Sequence, residues 1–261
     1  MAEQSPFLLE CCVDSIESAI LAAKAGADRL EVCSNLMIGG TTPSLAGFRL
    51  IRRQVPTKLH VLIRPRFGDF CYTEREFAAI REDLKIFREE GADGAVFGVL
   101  RPDGSLDKEA MALLMEEAGG MSVTLHRAFD VSSDPFQTLE DAVSLQIDTI
   151  LTSGCEESAL KGADCLKRLQ TQSNGRISIM AGAGIDARAI QSLYPDTGIH
   201  CYHMSGKRIL NSAMEYRSDK VHMGLPSFSE YEIWQTDPLK VREASMVLKN
   251  LAEKEVSRNR V

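Results

Sequence analysis

The sequence lacks long hydrophobic runs and any excess of positive charge. No window of its 261 residues approaches the ~20 apolar residues needed to cross a bilayer, so no membrane span is expected. The 30 basic residues are outnumbered by 37 acidic ones, which gives a net charge of −7. Proteins that bind nucleic acid generally present a basic stripe, so we expect no nucleic-acid partner.

A regular cysteine framework is also missing. The seven cysteines form an odd set without a Cys-x-x-Cys pair, which argues against a disulfide-stapled secreted domain. Residues 1–15 carry acidic side chains and no basic n-region, so they do not resemble a secretory signal. We therefore expect a cytoplasmic protein whose cysteines are packing residues, metal ligands or nucleophiles.

The sequence does contain a regular alternation of β-rich runs and helical stretches. Strands are predicted at 7–13, 29–34, 58–65, 94–99, 122–130, 149–154, 176–182 and 199–205. Helices are predicted at 15–25, 44–53, 74–90, 107–118, 135–145, 159–172, 187–193 and 238–253. Eight such units predict an α/β fold, a single-domain (β/α)₈ TIM barrel over residues 1–261. An open, doubly wound sheet is the alternative fold. No helix or strand is predicted for residues 211–237, which we interpret as a lid or a subunit contact.

Polar side chains recur on one face of four predicted strands, because residues two apart in a strand share a face. These inward-facing residues are Glu10 and Cys12, Glu31 and Cys33, Arg64 and Arg66, and Thr124, His126 and Asp130. Buried charges are costly unless they are paired, and chemistry in such barrels sits at the carboxyl ends of the strands. The set therefore favours a functional site over a purely structural ion-pair network.

The two inward cysteines predict a site for a soft metal ion. Cys12 and Cys33 each stand two residues beyond a glutamate on neighbouring strands, which places them at matching levels. Two thiolates suit Cu(I), whereas zinc would require four ligands. Two buried thiols that never meet a metal are the structural alternative.

Two glycine-containing turns predict an anion site at the ends of the seventh and eighth strands. Gly182 and Gly184 lie in the first turn, and Ser205, Gly206 and Lys207 lie in the second. Backbone amides at these positions commonly hold phosphate in barrels, although the glycines could equally serve tight turns. The glycine run superficially resembles a dinucleotide fingerprint but lies in the wrong context, so no nucleotide cofactor is expected.

The loop after the third strand places Arg66 and Asp69 on the rim of the barrel mouth. His60, His200 and His222 have no partner pattern, and we interpret them as surface or packing residues.

Taken together, seven motifs resemble the CutC copper-homeostasis family. They lie in family order at 9–15, 26–33, 39–44, 63–66 with 68–70, 126–130, 151–154 and 180–185. The resemblance implies a cytoplasmic TIM barrel, often a homo-oligomer, that holds one Cu(I) through cysteines matching Cys12 and Cys33. It also extends to inward residues matching Glu10, Glu31, Arg64 and His126, and to the eighth-strand histidine, His203.

Two functional hypotheses follow. In the first, the protein binds Cu(I) in copper homeostasis, with Glu10 and Glu31 tuning the site. In the second, it is an isomerase- or lyase-like enzyme acting on a small anionic or phosphorylated metabolite. Glu10 or Glu31 would then be the base and His126 an acid or base, while Arg64 and Arg66 would hold substrate charge.

Overall fold

The structure is a computed structural model that describes residues 6–258, apart from 219, 222 and 225–227, so His222 lies outside the described residues. Eight strands form the barrel: β1 Leu8–Val13, β2 Arg29–Val32, β3 Lys58–Leu62, β4 Gly94–Phe97, β5 Ser122–Leu125, β6 Thr149–Thr152, β7 Ser178–Ala181 and β8 Cys201–Met204. Two more strands follow: β9 Lys207–Asn211 and β10 Glu232–Thr236. The helices are α1 Ile16–Ala25, α2 Leu45–Gln54, α3 Glu74–Glu89, α4 Lys108–Ala118, α5 Pro135–Ser144, α6 Ala163–Ser173, α7 Ala187–Thr197 and α8 Pro238–Arg258.

Strands β1 to β8 pair in chain order, and β8 returns to pair with β1 in parallel. The predicted (β/α)₈ barrel is confirmed, and the open sheet is excluded because both end strands are paired. Among the described residues, no helix combines the length and apolar character required to span a bilayer.

Because side chains alternate along each strand, one face of the sheet packs against the helices and the other faces the barrel lumen. Leu9, Cys11 and Val13 of β1 point outward into the main core between the sheet and the helices. Cys33, Leu62 and Val96 form a smaller cluster on the opposite, inward face, which β1 supplies with Glu10 and Cys12. The barrel lumen is therefore lined largely by polar residues where it carries the site.

Local sequence signals explain where several helices begin and end. Asp134 caps α5 by accepting from the amides of Phe136 and Gln137, and Pro135 occupies the first helical position as predicted. Gly26 ends α1 in the left-handed conformation at φ +104°. Asp134 lies in a connection that follows a strand, at the barrel mouth, whereas Gly26 lies in a connection that follows a helix, at the opposite end.

Some predicted boundaries are wrong. Strand β5 ends at Leu125, not at residue 130, because the chain turns at His126 into a 3₁₀ turn over Phe129–Val131. Helix α6 begins at Ala163 rather than at residue 159, since the loop before it packs Gly154 against Gly162. The unassigned segment 211–237 includes an antiparallel partner for β9, namely β10, so a hairpin stands between β8 and α8.

Candidate functional site

Strands β8, β1 and β2 place four polar residues at one side of the barrel mouth. Glu10 on β1 lies opposite His203 on β8, and Cys12 lies opposite Glu31 on β2. All four side chains face the lumen, as the two-residue periodicity predicts. The first two strands therefore direct their acids and a thiol into a shared space.

Glu10 is the centre of a buried ionic network. Its carboxylate accepts from Arg29 Nε at 2.5 Å and lies 2.7 Å from Nδ1 of His203, and Glu10 itself is fully buried. Burial alone would raise the pKa of Glu10, but Arg29 and His203 outweigh it and hold that pKa well below its usual range. Glu10 is therefore ionised, and it fixes the orientation of the His203 ring.

Cys12, Glu31 and His203 form a compact group of possible metal ligands. The Cys12 sulfur, a Glu31 carboxylate oxygen and a His203 ring nitrogen all lie within 4.8 Å of one another. His203 Nε2 lies 3.9 Å from Glu31, while Nδ1 is engaged by Glu10. A histidine whose second nitrogen bonds a carboxylate is the usual arrangement of a metal-binding imidazole.

Burial and neighbouring charge set the protonation of this group. Desolvation raises the pKa of Glu31 to about 7 and raises the pKa of the Cys12 thiol. Burial disfavours a charged His203, but Cys12, Glu31 and Glu10 together raise its pKa well above the ordinary value. The site can therefore take up and release protons when a cation enters.

The prediction that Cys33 lies at the same level of the barrel as Cys12 is wrong. Register pairs Cys12 with Glu31, so Cys33 lies two residues further along the barrel than Cys12. The offset arises because closing a barrel requires neighbouring strands to be staggered. Cys33 lies beside Leu62 and Val96 and donates to the Val13 carbonyl oxygen at 3.4 Å, and burial raises the pKa of its thiol.

Arg64 and His126 lie beyond the ends of β3 and β5. The Arg64 guanidinium donates to carbonyl oxygens in the loops after β2 and β3, including that of Gly40 at 3.1 Å. Phe70 lies against both residues: its ring centroid is 4.8 Å from the guanidinium carbon and 4.7 Å from the centre of the His126 ring. Both polar side chains are buried.

The two predicted rim residues form an ion-pair cluster. Arg66 donates to Glu76 at 2.5 Å and to Asp69 at 2.9 Å, and it remains partly exposed. Its charge is thus balanced by Asp69 of the loop and by Glu76 of α3, unlike that of Arg64.

Asp130 does not share a strand face with His126, because β5 has already ended. Its carboxylate accepts from the side chains of Thr152 and Ser153, from backbone amides after β6 and from Arg127 at 2.7 Å. Asp130 thus ties the end of β6 to the turn that follows β5.

The predicted glycine turns border a cavity of about 500 Å³. Gly184, Ser205, Gly206 and Lys207 line it, together with the first turn of α7 and part of α8. Gly182 is buried outside this lining, where a side chain would meet Leu151 at 2.6 Å. The Lys207 ammonium lies 3.8 Å from the centre of the Trp234 ring.

Sequence reasoning missed Arg29 and Phe70. Arg29 stands two residues before Glu31, so the face periodicity of β2 could have placed it inside the barrel. Phe70 ends the motif at 68–70, but its position against Arg64 and His126 depends on how the loop after β3 folds back, which the motif does not show.

The fold and site define a closed (β/α)₈ barrel with a Cys–Glu–His group whose cysteine and glutamate are buried and whose histidine is partly exposed. The chain belongs to the CutC family, whose model matches residues 7–208. A human relative, named copper homeostasis protein cutC homolog, is 44% identical over 246 residues, covering 94% of this chain and 90% of that protein. A CutC family protein of Bacteroides fragilis is 43% identical over 228 residues, covering 87% and 91% of the two chains.

Solved structures agree with this assignment. A crystal structure described as a CutC copper homeostasis protein of Streptococcus agalactiae superimposes with a TM-score of 0.73 at 31% identity, over 76% of this chain and 98% of that chain. A phosphoribosylanthranilate isomerase from Thermotoga maritima gives a TM-score of 0.56 at 12% identity, over 94% of this chain and 99% of that chain, which shows a shared fold alone.

Proposed function

We propose that this protein binds Cu(I) in copper homeostasis, with Cys12 and Cys33 as thiolate ligands and His203 beside them. The observation that carries the proposal is the approach of the Cys12 sulfur, a His203 nitrogen and a Glu31 oxygen to within 4.8 Å of one another. Cys33 lies outside this group, two residues beyond Glu31, and its part in the proposal rests on the resemblance to the family. The human and mouse relatives, which are named copper homeostasis protein cutC homolog, support the copper role.

The donor set fits a soft monovalent ion. Thiolate and imidazole are ligands that Cu(I) accepts at low coordination number. Glu10 would orient the imidazole through Nδ1, and Glu31 would lie beside the ion as a balancing charge. Because buried thiols must lose their protons to bind a metal, uptake of Cu(I) would release protons.

Titration of the reduced protein with Cu(I) against a competing chelator tests this proposal. Cys12→Ala and Cys33→Ala should each lower the affinity at least tenfold, because each removes one thiolate. Cys11→Ala is the matched control: Cys11 is equally buried but faces the helix layer, so the affinity should stay unchanged.

Two results would contradict the assignment in different ways. Full affinity in Cys12→Ala would exclude the copper site altogether. Full affinity in Cys33→Ala, combined with a loss in His203→Asn, would replace the cysteine pair by a cysteine–histidine pair.

A second function, catalysis on a small anionic or phosphorylated metabolite, is favoured by the cavity at the ends of β7 and β8. Its three basic lining residues, Lys207, Arg188 and Lys240, outnumber the two acidic ones, Asp186 and Glu243. Together with the glycine turns, this excess of positive charge suits a phosphate group. Glu31 would then be the better general base, since Arg29 and His203 hold Glu10 ionised. Failure of inorganic phosphate and phosphosugars to bind this cavity would count against it.

We further infer that the chain is one domain that works in the cytoplasm as a homo-oligomer. Reduced thiols, which the copper site requires, persist in a reducing compartment. The hairpin and the residues between its strands expose large apolar side chains: Ile209, Met214, Tyr216, Val221, Met223 and Ile233. Such a surface suits a subunit contact, and native mass spectrometry of the chain and of Ile209→Lys would test this.

A further inference from the structure

Arg64 is a buried cation that no carboxylate neutralises. Its side chain is only 7% exposed, and among the described residues it forms no ion pair. Three backbone carbonyls accept from its terminal nitrogens, but Nε has no hydrogen-bond partner. The Tyr72 hydroxyl faces the guanidinium, but burial raises the pKa of Tyr72 to about 12, so the phenol is neutral and does not balance the charge. The other buried arginine of the lumen, Arg29, is paired with Glu10. Arg64 thus contributes an uncompensated positive charge to the barrel mouth.

His126 supplies a second unused donor nearby. Its Nδ1 accepts from the Ala128 amide at 3.2 Å, which places the ring hydrogen on Nε2, and Nε2 has no partner. Desolvation, reinforced by Arg64, lowers the pKa of His126 to about 3, so the ring is neutral. A buried donor without a partner is costly, and each such group calls for an explanation.

Phe70 separates these two donors from solvent. Its ring packs against both Arg64 and His126 and is itself only partly buried. The Phe70 backbone is fixed, because its carbonyl accepts from the Leu100 amide at 2.9 Å. A change of side-chain rotamer would therefore uncover Arg64 and His126 without moving the loop.

We propose that a small carboxylate binds between Arg64 and His126, in the space that the Phe70 ring fills. One oxygen would accept from Arg64 Nε and the other from His126 Nε2, each at ordinary hydrogen-bond length of about 2.9 Å. The anion would give the guanidinium the counter-charge it lacks. Phe70 would act as the cover that the ligand displaces.

The charge balance favours a carboxylate over a phosphate. The subsite offers one cation and one neutral donor, which match a single negative charge, whereas a phosphate dianion would remain partly uncompensated in a dry site. This subsite is distinct from the cavity at the ends of β7 and β8, and it does not depend on copper. Its test therefore uses the metal-free, reduced chain.

The test is a titration with acetate and pyruvate, followed through the ring ¹⁵N resonance of His126. Saturable shifts of Nε2 are expected in the wild type. Arg64→Met should weaken binding at least tenfold, and Phe70→Ala should strengthen it severalfold because no cover has to be displaced. Arg49→Gln is the control: this arginine is paired with Glu90 at the surface, away from the loop after β3, so binding should be unchanged.

Three outcomes would overturn the inference. One is a wild-type Nε2 resonance that does not respond to either carboxylate, which would indicate that water alone satisfies these donors. Another is equal binding in Arg64→Met, provided that its circular dichroism matches the wild type. The third is a stronger, Arg64-dependent response to inorganic phosphate than to carboxylate, which would assign the subsite to another ligand class. None of these results bears on the copper titration, so the two proposals fail separately.

Discussion

Three histidines inside the barrel acquire opposite acid–base behaviour from their neighbours. His203 lies between glutamates and a cysteine, which raise its pKa against the effect of burial. Burial lowers the pKa of His60 to about 4 and that of His126 to about 3, and in each case a neighbouring arginine adds to the shift. Burial disfavours the charged form of all three rings, so the sign of the neighbouring charges decides which ring is protonated.

The buried neutral state of His126 predicts a pH-dependent stability. Its pKa is about 3 in the folded chain against 6.5 when unperturbed, so the unfolded chain binds a proton first as pH falls below 6.5. Wild type should lose about 1.4 kcal/mol per pH unit from this residue between pH 6 and 4. Urea unfolding should therefore show that any stability advantage of wild type over His126→Asn shrinks on acidification.

Comparison with a variant is needed because Glu31 titrates in the opposite direction. Its raised pKa lets the folded chain take up a proton between about pH 7 and 4.5, which offsets part of the loss in both proteins. His200→Asn, at a half-buried position beside Glu255, serves as the control substitution. A gap between wild type and His126→Asn that stays constant with pH would show that folding does not lower the pKa of His126.

At the scale of elements, the ends of the strands matter more than their middles. The strand cores were predictable, because alternating apolar residues must face the helix layer. Where a strand stops depends on contacts distant in sequence, as at β5, whose following turn is held by Asp130 to the end of β6. Periodicity carries no information about such a contact, so Asp130 was placed on the wrong face.

Asp130→Asn should loosen the junction between β5 and β6. The amide would present a donor where the carboxylate accepts several hydrogen bonds, with an expected loss of about 2–3 kcal/mol in the free energy of unfolding. Asp134→Asn is the matched control: Asp134 caps α5, and asparagine caps a helix as well as aspartate does. Equal stability of the two variants in urea unfolding would contradict the assigned role of Asp130.

For the whole molecule, the sequence was sufficient for the barrel but not for its register. Eight alternating units dictate closure, and the two-residue period correctly turned Glu10 and Cys12 inward. The stagger between strands is a property of the closed ring, so single strands could not show that Cys12 lies opposite Glu31 rather than Cys33. Arg64 and Arg66 looked equivalent because the third strand was predicted to reach residue 65, whereas β3 ends at Leu62 and only Arg66 has carboxylate partners.

Closure also leaves little space in the lumen below the site. Gly94 on β4 lies against the His60 ring on β3, and a methyl group at Gly94 would overlap that ring. Gly94→Ala should therefore lower the free energy of unfolding by about 1–3 kcal/mol. In a double-mutant cycle, His60→Ala should relieve part of that loss; strictly additive losses would show that the two residues do not compete for space.

The pairing of β8 with β1 also bears on the order of events during synthesis. Cys12 emerges from the ribosome early and His203 late, and the two meet only when the ring joins. A nascent chain that ends before β8 lacks the imidazole and leaves one edge of β1 without its neighbour. Cys12, Glu31 and His203 are thus brought together only when the barrel closes. Ion binding by this group would therefore be confined to chains whose translation has passed residue 203.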